Sequence, residues 1–104
     1  MIKEIKKLVT EELEKRGVKL LKMLLFGSRA KENFREDSDW DIFVIVDKKM
    51  SFSEKWDIID EIKIKLAKKG ISNDIIIKSA EEVEEGKEDV GRITYYVLKE
   101  GIEL

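Results

Sequence analysis

The chain has no histidine, no cysteine and no proline among its 104 residues, and aromatic side chains make up only 8% of it. Without cysteine there is no disulfide framework and no thiolate chemistry, and without histidine the commonest general base and metal ligand is missing. Catalysis, if the chain performs any, must rest on carboxylates, hydroxyls, lysine or arginine. Long apolar runs are absent too: nothing approaches the roughly 18 residues that a membrane span needs. Residues 1–17 alternate charged and apolar side chains, which is the pattern of neither a signal peptide nor a transit peptide, so a cytoplasmic location is expected. Charge of one sign is lacking as well. The 21 basic and 23 acidic residues leave a net charge of -2, so no overall field draws the chain onto an anionic membrane or nucleic acid, and neither is expected as a direct ligand.

What is present is charge in quantity, 42% of the chain and mostly Lys and Glu, with 42% hydrophobic residues beside it. That composition leans toward heat adaptation. The length fits one domain, residues 1–104, with a single small core. Ile2, Ile5, Val9 and Leu13, with Leu8 beside them, recur at helical steps, and Gly17 after Lys15-Arg16 is a helix stop. Residues 20–26 (LLKMLLF) read as a buried strand, residues 41–46 as a second rich in β-branched residues, and Ile75 to Ile77 as the centre of a third. Ser51 or Ser53 can cap a helix running to about Lys69, with Phe52, Trp56, Ile59, Ile62 and Leu66 on its inner stripe. A short acidic helical turn over 79–86 and a helix over 88–100, carrying Val90, Ile93, Val97 and Leu98 on one face, complete the order. The pattern predicts an α/β (α+β) fold: a small sheet of three to four strands backed by helices, with strands two and three interior.

The chemistry concentrates in "FGSRAKENFREDSDWDIFVIV", residues 26–46. Side chains at i and i+2 of a strand share a face, so Asp39 and Asp41 project together at the strand mouth while Trp40 turns away. Two such carboxylates repel, and a divalent metal with oxygen ligands relieves the repulsion best. Asp74 stands just before the third apolar strand and can reach the same rim. Three carboxylates there can hold two Mg²⁺ ions at the roughly 3.5–4 Å separation that clamps an in-line phosphoryl displacement. Gly27 and Ser28 end the first strand and open a short helix over Arg29 to Asn33. The glycine admits a phosphate to the backbone, and the serine hydroxyl and first helical N–H groups offer donors. A metal cage and a phosphate cradle at one sheet end make a site for a nucleoside triphosphate. Taken singly, Asp-x-Asp is a common solvated strand entry and Gly-Ser a common capped turn. Their order and spacing together favour the site.

Gly27-Ser28, ten intervening residues and Asp39-x-Asp41 resemble the signature of the nucleotidyltransferase superfamily related to DNA polymerase β, and the stretch is most similar to the minimal nucleotidyltransferases. The likeness covers nearly the whole chain. It implies that Asp39, Asp41 and Asp74 are the catalytic metal ligands for two Mg²⁺ ions, with Asp74 also helping a hydroxyl nucleophile lose its proton. It implies that Gly27 and Ser28 hold the β- and γ-phosphates of ATP, that AMP is transferred and that diphosphate leaves. Arg29 and Lys31 are further candidates for phosphate contact, about as readily solvated on a short exposed helix. Relatives of this length resemble antitoxins that attach AMP to a tyrosine of a HEPN-class ribonuclease toxin, which implies such a partner here. One departure from the family pattern is Lys31-Glu32 where Arg-Gly is usual: lysine lacks the bidentate fork, and Glu32 adds negative charge near a triphosphate.

Two other readings compete with the adenylylating antitoxin. One is a non-catalytic antitoxin acting by complex formation, which Glu32 favours and the three aspartates oppose. The other is a small-molecule nucleotidyltransferase, which needs an acceptor pocket from pairing with itself or another subunit. Tyr95 and Tyr96 are expected to divide between core and surface, and Trp40 and Trp56 to make core or partner contacts. The acidic run Glu81 to Glu88 reads as a solvated face.

Overall fold

The structure is a computed structural model that describes residues 1–31, 34–89 and 92–104. Its elements run α1 (Ile2–Glu14), β1 (Leu20–Phe26), a 3₁₀ turn (Gly27–Ala30), β2 (Trp40–Val46), α2 (Phe52–Lys68), β3 (Asn73–Ser79), α3 (Ala80–Gly86), α4 (Ile93–Glu100) and β4 (Ile102–Glu103). The four strands form one mixed sheet in the order β3-β2-β1-β4. β1 runs antiparallel to both β2 and β4, while β2 and β3 are parallel and joined through α2. Only β2 and β1 are interior. The sequence placed the third strand inside the sheet as well, but β3 lies on its margin, with Ile76 only partly buried. Its apolar run reflects helical cover on its faces rather than a strand on each side.

α1 and α2 cover one face. Ile5, Leu8, Val9 and Leu13 of α1 and Ile58, Ile59, Ile62 and Leu66 of α2 pack on Met23, Leu25, Ile42, Val44, Ile75 and Ile77. On the opposite face a smaller cluster joins Leu24, Phe26, Phe43 and Ile45 to Val97 of α4, with Val83 of α3 against it. β2 is buried on both faces from Ile42 to Val46, which accounts for its uninterrupted apolar sequence.

Ser51 is the cap of α2: its hydroxyl accepts from the Glu54 amide at 3.2 Å. This start corrects the expected inner stripe. At about 100° per residue, Lys55 falls in the middle of the arc of Ile58, Ile59, Ile62 and Leu66, whereas Phe52 and Trp56 lie about 65° and about 105° to one side of its centre. Phe52 is accordingly 79% exposed and Trp56 48% exposed, their rings in edge contact at 5.9 Å. Burial pushes the Lys55 amine down from its ordinary pKa, and the nearby Glu82 charge opposes that shift. α4 shows a similar rotation. Thr94 and Val97 are its buried residues, while Ile93 and Leu98 face outward and Val90 lies outside the described residues. Ile2 of α1 is exposed too. Among the described residues no helix is long and apolar enough to cross a membrane.

Glu12 ties the two helices together. It is a buried carboxylate on α1 that accepts from Lys65 of α2 and from Lys15 at 3.0 Å. Lys65, helped by Lys15, holds its pKa below the usual carboxylate range against the opposing effect of burial.

Candidate active site

Strand register decides which acids meet. β2 and β3 run parallel with Asp41 opposite Asp74, and β1 runs antiparallel with Phe26 opposite Asp41. The end of β1 and the beginnings of β2 and β3 therefore share one margin of the sheet. Asp41 and Asp74 fall on the face that carries Phe43 and Ile76, by the two-residue alternation of a strand. Trp40 turns to the other face, against the larger core, as its neighbours' alternation requires.

Gly27 stands hard against Asp41. Its backbone has φ +72°, and a Cβ built there would lie 2.0 Å from Asp41 Oδ2 and 3.0 Å from its Cγ. No side chain fits in that gap. The sequence assigned this glycine to phosphate approach, and the fold adds a second demand that spacing along the chain does not reveal. Ser28 and Lys31 are exposed on and just beyond the turn, facing solvent. The 3₁₀ turn spans Gly27–Ala30 and the Lys31 backbone leaves it extended; Glu32 and Asn33, the end of the helix expected from Arg29, lie outside the described residues.

The three carboxylates interact. Burial raises the Asp41 pKa most, and the charges of Asp74 and then Asp39 raise it further. Asp39 and Asp74 are exposed, and each has a partner that sequence reading missed. The Ser72 hydroxyl donates to Asp39 Oδ1, while the Ser72 carbonyl accepts from the Trp40 amide at 2.9 Å. Lys63, reaching from α2, stands 3.6 Å from Asp74 Oδ1. With those partners in place, no three acidic side chains among the described residues are gathered closely enough to enclose a cation. In donor type the trio suits a hard divalent cation such as Mg²⁺, and its mutual repulsion is what a cation would relieve.

Arg29 is engaged within the protein. Its Nε donates to the Ser38 carbonyl at 2.8 Å and its Nη2 to the Glu36 carbonyl at 2.5 Å. The guanidinium also stands over the rings of Trp40, 4.3 Å away, and Phe34, 4.9 Å away. Ser38 in turn closes a tight turn over residues 35–38, its amide donating to the Arg35 carbonyl at 3.0 Å.

Comparison with known proteins adds three findings. The family model described as polymerase beta, nucleotidyltransferase matches residues 3–104. Two solved structures of mutants of the toxin–antitoxin MntA–HpeT are similar in fold: one at 17% identity and TM-score 0.59, covering 97% of this chain and 69% of that one; the other at 19% identity and TM-score 0.61, covering 100% and 71%. No curated protein matches the chain.

Proposed function

The chain belongs to the polymerase β nucleotidyltransferase family, and on that basis we propose that it moves AMP from ATP to a tyrosine hydroxyl of a partner toxin of the HEPN ribonuclease class, acting as the antitoxin. The observation that carries the transferase reading is the register that sets Asp41 beside both Asp74 and Gly27. Asp39, Asp41 and Asp74 would hold Mg²⁺, two ions by the family pattern, whose charge would neutralise the triphosphate and acidify the attacking hydroxyl. Gly27 and Ser28 offer backbone and hydroxyl donors to the β- and γ-phosphates, with Lys31 near enough along the chain to add positive charge. The acceptor oxygen bonds to the α-phosphorus as the bond from that phosphorus to the bridging oxygen of diphosphate breaks. The hydroxyl proton passes to Asp74, the exposed carboxylate on the marginal strand. With neither histidine nor cysteine, catalysis rests on positioning and charge neutralisation, which suffices for phosphoryl chemistry.

The likeness to toxin–antitoxin structures supports the antitoxin role, and it equally suits a second reading, neutralisation by complex formation alone. The pairing of Asp74 with Lys63 and of Asp39 with Ser72 favours that alternative. One experiment separates them. The protein is mixed with Mg²⁺, each nucleoside triphosphate in turn and the co-encoded partner, and the partner is then weighed. The transferase reading expects a mass gain of one or more nucleoside monophosphates, absent with Asp41→Asn. No gain, with full toxin inhibition in the absence of ATP and Mg²⁺, establishes the second reading instead.

A further inference from the structure

Arg29, the cation of the Gly27–Ala30 turn, already commits its Nε and Nη2 donors inside the protein. Its two charge-assisted hydrogen bonds end on the Glu36 and Ser38 carbonyls, and its flat guanidinium stands over both the Phe34 and the Trp40 rings. Those contacts bridge two parts of the proposed site. Arg29 itself sits in the Gly27–Ala30 turn, Ser38 immediately precedes Asp39, and Trp40 separates Asp39 from Asp41. Among side chains, only arginine offers a planar fork that can bond two carbonyls while its flat face rests on aromatic rings. Lysine keeps the charge and loses the fork and the plane.

We propose that Arg29 is a positioning residue: a splint that fixes the glycine-serine turn at a set distance from Asp39 and Asp41, rather than a ligand of the triphosphate. The proposal rests on the transferase reading for its catalytic consequence and on the contacts alone for its structural one. A phosphate ligand gains its partner only when nucleotide binds. A splint is in place beforehand, so its loss loosens segment 34–38 in the free protein and leaves the two halves of the site unregistered.

Three variants test this: Arg29→Lys, Arg29→Gln and Phe34→Ala. In the free protein, amide hydrogen exchange over residues 34–40 is expected to quicken about ten- to a hundred-fold in both Arg29 variants, as the loss of two charge-assisted bonds and two ring contacts implies. Phe34→Ala reproduces part of that change. Exchange in α1, β1 and α2 stays at the parent rate, which shows that the variants are folded. In the transfer assay, kcat falls about ten-fold or more with Arg29→Lys as with Arg29→Gln, while KM for ATP stays within about two-fold. Unchanged exchange over 34–40 overturns the splint. So does an Arg29→Gln variant whose KM for ATP rises at constant kcat while Arg29→Lys behaves as the parent, since that is the signature of a phosphate contact. If the parent protein transfers no nucleotide, the transferase reading fails by itself, and the exchange measurement still decides whether Arg29 holds the segment.

Discussion

Replacing Gly27 with alanine is the most incisive perturbation, because the fold supplies its own controls. Gly17, Gly27 and Gly70 all have left-handed backbones, with φ of +69°, +72° and +76°. An alanine in that region costs about 1–2 kcal/mol in backbone strain, offset by about 0.4–1 kcal/mol from a less flexible unfolded chain. At Gly17 and Gly70 nothing lies within 4 Å of an added Cβ, so the expected net loss is about 1 kcal/mol or less. At Gly27 the added carbon meets Asp41 Oδ2 at 2.0 Å, Cγ at 3.0 Å and Cβ at 3.3 Å. Rotating the carboxylate clears the first contact and not the others, so the whole Asp41 side chain must shift, for a further cost of about 1–2 kcal/mol. At about 4–8 °C per kcal/mol for a domain near this size, Tm should drop by at most about 8 °C in the controls and by about 4–16 °C more in Gly27→Ala. Activity should separate further still. Displacing Asp41 by about 1 Å is expected to cost about a hundred-fold in nucleotide transfer, while both controls transfer at the parent rate. Thermal melting and the mass assay on the three variants together check the reasoning. A Gly27→Ala protein that melts with the controls, or transfers at the parent rate, refutes the close packing of Gly27 on Asp41.

Burial and the charges of Asp74 and Asp39 raise the Asp41 pKa, so the folded state holds that proton more tightly than the unfolded chain. Stability from this group is full below the ordinary carboxylate range and is lost as pH rises through the raised value, so in chelator at pH 7 Asp41→Asn should melt above the parent, the gap closing below about pH 4; equal melting at pH 7 contradicts the repulsion. Glu12 behaves in the opposite sense, since Lys65 holds its pKa down and its contribution is present at neutral pH and lost as pH falls through the lowered value. Lys65→Met should therefore lower Tm at pH 7 more than Lys15→Met does, with the difference fading in acid; equal losses would mean that Lys65 is not the principal partner. On α2, Ile62→Ala should cost about 2–5 kcal/mol in denaturant unfolding and Phe52→Ala under about 0.5 kcal/mol, the reverse of what residue size suggests.

Several elements of the fold were legible in the sequence because they follow from local periodicity and punctuation. α1, β1, β2 and the centre of β3 stand where their apolar spacing put them, and Ser51 caps α2 as one of the two serines proposed. Errors arose where a helix's rotation about its axis mattered. Phe52 and Trp56 obey a step of four with each other, yet Lys55 shares the buried line and they do not. Hydrophobicity marked the stripe but not its phase, which packing against the sheet sets. The marginal place of β3 was likewise hidden, because helical cover makes a strand apolar whether or not it has a neighbour on each side.

The sequence by itself determined the chemistry on offer: a Gly-Ser turn, an Asp-x-Asp strand mouth and a third aspartate before a later strand, with no histidine or cysteine to share the work. Residue type and spacing are local facts, so they survive without coordinates. Only the tertiary structure decided that Asp41 faces Asp74 across a parallel pair, that Gly27 is pressed against Asp41, and that Arg29, Lys63 and Ser72 are already engaged around the aspartates. Those relations depend on strand register and on side chains from segments far apart in the chain meeting at one sheet margin, and no spacing within a single segment encodes them.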